Sequence, residues 1–204
     1  SNKSTKVCEY LCNEDVWILE EENNKTYEFV QLALESGEDV SARSRNECKA
    51  YPLHYAAFYG DPKAIELLVE NGADIYAKDA FGASPLFWAL SKPENVEILI
   101  NLGSDVNERN SDGNTPLLSL TSNWNYGETK VIKLLLLAGA NVNEKTDYGS
   151  TPFGLALAFK NSKEILKILL ENGADVKLDG QGGEFVTNSN LHTAASLMWD
   201  NDIL

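Results

Sequence analysis

A ten-residue segment returns along this chain at nearly constant spacing, and no other feature restricts the fold as much. ENGADIYAKD (Glu70 to Asp79), NLGSDVNERN (Asn101 to Asn110), LAGANVNEKT (Leu137 to Thr146) and ENGADVKLDG (Glu171 to Gly180) align without gaps. ESGEDVSARS, from Glu35 to Ser44, is a weaker fifth copy. The shared glycines Gly37, Gly72, Gly103, Gly139 and Gly173 lie 35, 31, 36 and 34 residues apart. A second motif keeps the same phase: YPLHYAA from Tyr51, SPLFWAL from Ser84, TPLLSLT from Thr115 and TPFGLAL from Thr151, with SNLHTAA from Ser189 as a degraded last copy that lacks the proline. A period of this length makes each copy one supersecondary unit that buries its apolar face only by stacking on its neighbours.

The chemistry of one unit predicts helix, turn, helix, loop. Ser84-Pro85, Thr115-Pro116 and Thr151-Pro152 pair a capping hydroxyl with the residue best tolerated in a first helical turn. After a break such as Gly60-Asp61-Pro62 comes an amphipathic run, AIELLVENG, NVEILINLG, VIKLLLLAG or EILKILLENG, with apolar residues at i, i+3 and i+4 and a glycine at its end. The connecting stretches Asp79 to Gly82, Asn110 to Gly113 and Thr146 to Gly149 have the composition of tight turns in which glycine supplies a positive φ. Helices of about ten residues are marginal alone, so stability is expected to be collective.

With its period of about 33 residues, its T-P-L-H-x-A-A opening and its L-L-x-x-G-A-D-V-N closing, the chain resembles the ankyrin repeat from about Tyr27 to its C-terminus. The resemblance implies an all-α fold: an ankyrin-repeat solenoid of stacked helix-turn-helix units with projecting hairpin-like loops. The expected organisation is an N-terminal capping unit at 1–45, repeats at 46–78, 79–109 (shortened), 110–145 (with an inserted loop at 122–127) and 146–179, and a Gly-rich loop with a partial C-terminal repeat or cap at 180–204. In the capping unit, helices are expected at about Asp15 to Glu22 and Thr26 to Ser36. The unit at 46–78 has Lys49 where the other turns have glycine. In the shortened unit, Lys92-Pro93 should start the second helix. The motif histidine, His54, is implied to tie adjacent loops together, a structural role.

Composition bounds the function. The 204 residues carry 17 basic and 31 acidic side chains, a net charge of −14, which opposes nucleic acid and anionic membrane surfaces. No run of about 20 apolar residues suggests a membrane span. Three cysteines, Cys8, Cys12 and Cys48, are too few for a disulfide framework and fit a reducing, cytoplasmic compartment, which would be the host cytosol for a secreted effector. Cys8 and Cys12 are spaced i, i+4 but lack further metal ligands, so buried thiols are the expected reading. The acids around Asp175 and Asp179 lack the alternation of a calcium loop, and Gly180-Gln181-Gly182-Gly183 has no Lys-Ser/Thr pair for phosphate. The chain starts Ser1-Asn2 without methionine, which suggests a processed or tag-derived end.

No nucleophile motif, metal-ligand cluster or dinucleotide fingerprint is present, so no catalytic residue, metal or cofactor is expected. The expected function is a protein-interaction scaffold working as a monomer, whose partner has a basic rim. The alternative is a targeting module of a larger enzyme or secreted effector. Carried over from the family, the contact positions are the loop tips Glu47, Cys48, Ala80, Phe81, Ser111, Asp112, Asp147 and Tyr148 and the first-helix ends Phe58, Tyr59, Ser91, Ala158 and Phe159. Trp124 and Tyr126 lie on the inserted loop, where they either cover their own helix ends or meet a partner. Of these, Phe58, Tyr59, Phe81, Asp112, Trp124, Tyr126, Tyr148 and Phe159 are the predicted partner-binding residues. Asn107 and Asn143 occupy a slot at which members of the family can be hydroxylated, though both are also ordinary turn formers.

Overall fold

The computed structural model describes residues 25–59, 62–122, 129–158 and 163–176. Among the described residues there are nine helices and no strand: α1 (Lys25–Glu35), α2 (Pro52–Tyr59), α3 (Pro62–Glu70), α4 (Pro85–Trp88), α5 (Pro93–Asn101), α6 (Pro116–Thr121), α7 (Thr129–Leu137), α8 (Pro152–Ala158) and α9 (Lys163–Glu171). The expected helix at Asp15 to Glu22 lies outside the described residues. The chain divides into two compact units, Ser1–Asp105 with Asn110–Asp112, and Val106–Arg109 with Gly113–Leu204.

In the first unit the short helices α2 and α4 pack on one another, while α1, α3 and α5 form a second row behind them. Leu53, Ile65, Leu68, Leu86 and Leu99 are fully buried between these rows. Burial of each such side chain contributes about 1.5–3 kcal/mol, which no single pair of short helices could gather alone. The second unit repeats the plan: α6 packs on α8 and α7 on α9, around Leu117, Leu118, Leu120, Ile132, Leu135 and Phe153.

Proline-started helices appear where the motif placed them, but the caps differ. The Leu118 amide donates to Thr115 Oγ1 (3.3 Å) and the Gly154 amide to Thr151 Oγ1 (3.2 Å). Ser84 has the extended backbone of a cap, yet its hydroxyl makes no capping bond. The Phe87 amide that should reach it goes to the Ser84 carbonyl instead (3.0 Å), because α4 is only four residues long and tightens into three-residue turns. As expected for the shortened unit, α5 starts at Pro93 with Lys92 in extended conformation before it.

Every second helix ends the same way. The glycine amide bonds back to the third residue before it and the next amide to the fifth residue before it, as in Gly72 to Val69 (3.0 Å) and Ala73 to Leu68 (3.0 Å). Gly37, Gly103, Gly139 and Gly173 repeat this double closure. The shared glycine is thus the point at which the chain leaves each helix for the loop.

A candidate interaction surface

Three of the loops close as small hairpin-like tips. Ser44 N–H donates to the Ala50 carbonyl (2.8 Å), Asp79 N–H to Ala83 (3.0 Å) and Thr146 N–H to Ser150 (2.9 Å). Gly82, Gly113 and Gly149 have positive φ in these turns, and Lys49 takes the same left-handed conformation at φ 47° without being glycine. In the first unit, successive tips are joined by backbone bonds: Ala80 N–H to the Cys48 carbonyl (2.7 Å) and Ser111 N–H to the Phe81 carbonyl (2.9 Å). The fit is close, since a Cβ on Gly82 would lie 2.8 Å from the Ser111 nitrogen.

A buried carboxylate organises the tip at Asp79. Its Oδ1 accepts from the amides of Phe81 (2.8 Å) and Ala83 (2.9 Å), and its Oδ2 accepts from the indole Nε1–H of Trp88 (2.9 Å). Three bonds to one carboxylate offset the cost of removing it from water. One repeat earlier the same nine-residue reach recurs with other chemistry, Asn46 Nδ2 donating to the Tyr55 hydroxyl (2.7 Å).

His54 is wholly buried beneath this tip. Tyr51 N–H donates to its Nδ1 (3.3 Å), and its Nε2–H donates to the Ala83 carbonyl (3.0 Å), so the neutral ring carries its proton on Nε2. Burial pushes its pKa below the usual 6.5, although the Ala83 bond and the Asp79 charge both act in the opposite sense. The role implied for His54, tying one loop to the next, is the one the structure gives it.

Around Trp88 lies an aromatic cluster. Tyr55, His54 and Phe58 meet the indole edge-on at 5.3, 5.5 and 6.1 Å between centroids, and Tyr59 meets Phe58 edge-on at 4.4 Å. Phe58, Tyr59 and Trp88 are each half-buried. Two of the nominated residues, Phe58 and Tyr59, are therefore walls of a packed cluster with one side open, and the Trp88 at its centre was not nominated. Its signal was available: only this unit pairs an acid at the start of the tip with an indole nine residues on.

Other nominated positions are placed singly. In the first unit Phe81 is 58% exposed, and Glu47, Ala80, Ser111 and Asp112 are exposed, while Cys48 and Ser91 are half-buried. In the second unit Tyr148 is 85% exposed beside an exposed Asp147, and Ala158 is half-buried. Asp147 lies 3.8 Å from Arg109, which also pairs with Glu144 and donates to the carbonyls of Gly113 and Lys145. Trp124, Tyr126 and Phe159 lie outside the described residues, as do Cys8, Cys12 and the Gly180 loop. Among the described residues no three His, Cys, Asp or Glu side chains group as metal ligands. No helix among them is long and apolar enough to cross a membrane.

The slot of Asn107 and Asn143 carries a ladder. Asn107 Nδ2 donates to the Gly139 carbonyl (3.0 Å) while its Oδ1 accepts from the Asn141 amide (2.8 Å). Asn143 does the same to Gly173 (3.0 Å) and Asp175 (2.7 Å). Tyr76 fills this slot in the first unit and reaches the Gly103 carbonyl with its hydroxyl (2.9 Å).

All-helical units of paired short helices, closed by a shared glycine and tied through their loop tips, define a helical repeat protein. The model of the family described as ankyrin repeats (3 copies) matches residues 17–110 and 91–180, and the chain belongs to the ankyrin repeat family. Among curated proteins none matches the chain. Ankyrin repeats are in general protein-protein interaction modules and typically non-catalytic scaffolds.

Proposed function

We propose that this chain binds a partner protein through its loop tips and first-helix ends, without catalysing a reaction. One observation carries the reading: Asp79 holds the Phe81 amide and the Trp88 indole on one carboxylate, so the backbone that presents an exposed ring at a tip is tied to the half-open cluster of Phe58, Tyr59 and Trp88. Half-buried aromatic rings packed edge-on, beside a tip whose backbone is already ordered, suit interface anchors, because less freedom remains to be lost on binding. In the second unit, Tyr148 supports the same role.

The partner segment carries apolar anchors and a basic rim. Support for the rim comes from the net charge of −14 and the acidic tips Asp112 and Asp147. The first tip is mixed, with Arg45 and Lys49 beside Glu47, so the rim is assigned to the later tips. The same surface suits the targeting part of a larger enzyme or secreted effector, and the length of the open reading frame decides between the two.

Replacing Phe81 and Tyr148 together with Ala is expected to abolish partner capture in a pull-down from the native extract, with thermal unfolding nearly unchanged because both side chains are exposed. Capture at the wild-type level by the double variant would refute the surface.

A further inference from the structure

We propose that Asn71-Gly72 is a self-modifying site, where the asparagine turns into aspartate and isoaspartate as the end of α3 opens, and that Asn143 guards the matching pair Asn172-Gly173 against the same reaction.

These are the two Asn-Gly pairs of the chain, and both sit in the same sequence ENGAD, at 70–74 and 171–175. The chemistry needs nothing but water. The Gly72 nitrogen attacks the side-chain carbon Cγ of Asn71 and gives up its proton, while the Cγ–Nδ2 bond breaks to release ammonia and leave a cyclic succinimide. Water then opens the ring at Cγ to give aspartate, or at the backbone carbonyl to give isoaspartate. No electrons are transferred. Glycine hinders the attack least, since it has no Cβ. With the local sequence identical around both pairs, any difference in their rates arises from the fold.

Much of the fold around them is identical too. Both pairs are exposed, and the two glycines share a left-handed φ of 91° and 84°. Each glycine N–H is engaged, Gly72 with the Val69 carbonyl (3.0 Å) and Gly173 with that of Leu170 (2.9 Å). Each asparagine Nδ2 donates one turn back, Asn71 to Leu67 (2.8 Å) and Asn172 to Ile168 (2.8 Å). Attack requires both bonds to open, which slows the reaction in the folded chain at either place.

The difference lies on the far side of the glycine. Asn143 Nδ2 donates to the Gly173 carbonyl (3.0 Å), and its Oδ1 accepts from the Asp175 N–H (2.7 Å), so the segment 173–175 is clamped. Ser41 holds the corresponding place in the unit before Gly72, four residues after Gly37. Its shorter side chain makes neither bond, and among the described residues none reaches the Gly72 carbonyl. The end of α9 is held by its own closure and the clamp, the end of α3 by its closure alone. Conversion at Asn71 is one-way: it sets a negative charge beside Glu70 at the carbonyl end of α3, where the helix dipole disfavours it, and removes the donor to Leu67.

The test incubates the intact chain at mildly alkaline pH, native and in guanidinium chloride, and follows both pairs by peptide mapping with mass and isoaspartate detection. In denaturant the two should react at one rate. In the native chain both should slow, with Asn71 reacting about tenfold faster than Asn172, the size expected for a clamp of two hydrogen bonds. Asn143→Ala should bring Asn172 up to the rate of Asn71 and leave Asn71 as it was. Ser41→Asn, which copies Asn107 and Asn143, should slow Asn71, and it decides the matter if the alanine variant does not fold. A native Asn172 that reacts as fast as Asn71, a native Asn71 that stays intact, or rates that ignore these variants would overturn the proposal.

Discussion

Lys49 is the one non-glycine residue with positive φ among the described residues, at 47°, in the turn slot where other repeats have glycine. A side chain in the left-handed region costs roughly 1–2 kcal/mol, while glycine costs about 0.4–1 kcal/mol through the unfolded chain. The first term exceeds the second. Lys49→Gly is therefore expected to stabilise the protein by about 0.5–1 kcal/mol in chemical denaturation, and a loss of stability would show that the lysine makes a compensating contact. The substitution was legible as an anomaly in the sequence, because the in-phase motifs fixed which position the turn required. What could not be read there was Asp79. In sequence it is one of 31 acids, and only its burial and its three donors distinguish it.

At the level of elements, the same bond to a helix-closing glycine recurs in each unit, from Tyr76 in the first and from Asn107 and Asn143 in the second. Each residue donates to the carbonyl of the glycine that closes the following second helix. Asparagine does so with two bonds and a short arm, tyrosine with one bond and a long one. Net contributions of about 0.5–1.5 kcal/mol per bond predict that Asn143→Ala destabilises more than Tyr76→Phe, by about one bond's worth, in urea unfolding. Equal losses would mean that the Asn143 amide is satisfied by water. Helix positions were legible because proline, the capping hydroxyls and the terminal glycine are all local signals. α1 begins at Lys25 and ends at Glu35, one residue earlier at each end than expected. Ser84 is the N-cap that the motif places before Pro85, but its hydroxyl is not used as a cap, since α4 is only four residues long and the Phe87 amide bonds to the Ser84 carbonyl. The aromatic cluster was not legible from local signals, since Phe58 and Trp88 meet only because α2 packs on α4.

For the whole molecule, a net charge of −14 on 204 residues makes self-repulsion the leading long-range electrostatic effect. Raising salt from 0.1 to 1 M shortens the screening length from about 10 to about 3 Å. The Tm should therefore rise with sodium chloride, because exposed pairs such as Lys133 with Glu164 contribute only about 0–1 kcal/mol and their loss is small. A Tm that falls with salt would mean that the Arg109 network outweighs the general repulsion.

Asn95, buried in the first turn of α5, donates its side-chain amide to the carbonyl of Ala57 in α2 (2.9 Å). A helix of one module is thus finished by a residue that belongs to the next. Tyr76 and His54 extend the same debt in the other direction, lending donors to carbonyls that lie downstream. Grafting the segment 46–78 into a foreign array would then strand partners at the seam that follows it, unless the recipient offered an amide at the position of Asn95 and a glycine carbonyl at the distance Tyr76 spans. The interchangeable part in this protein is the seam between neighbours, and recombination that respects seams should yield folded chains where recombination of single modules does not.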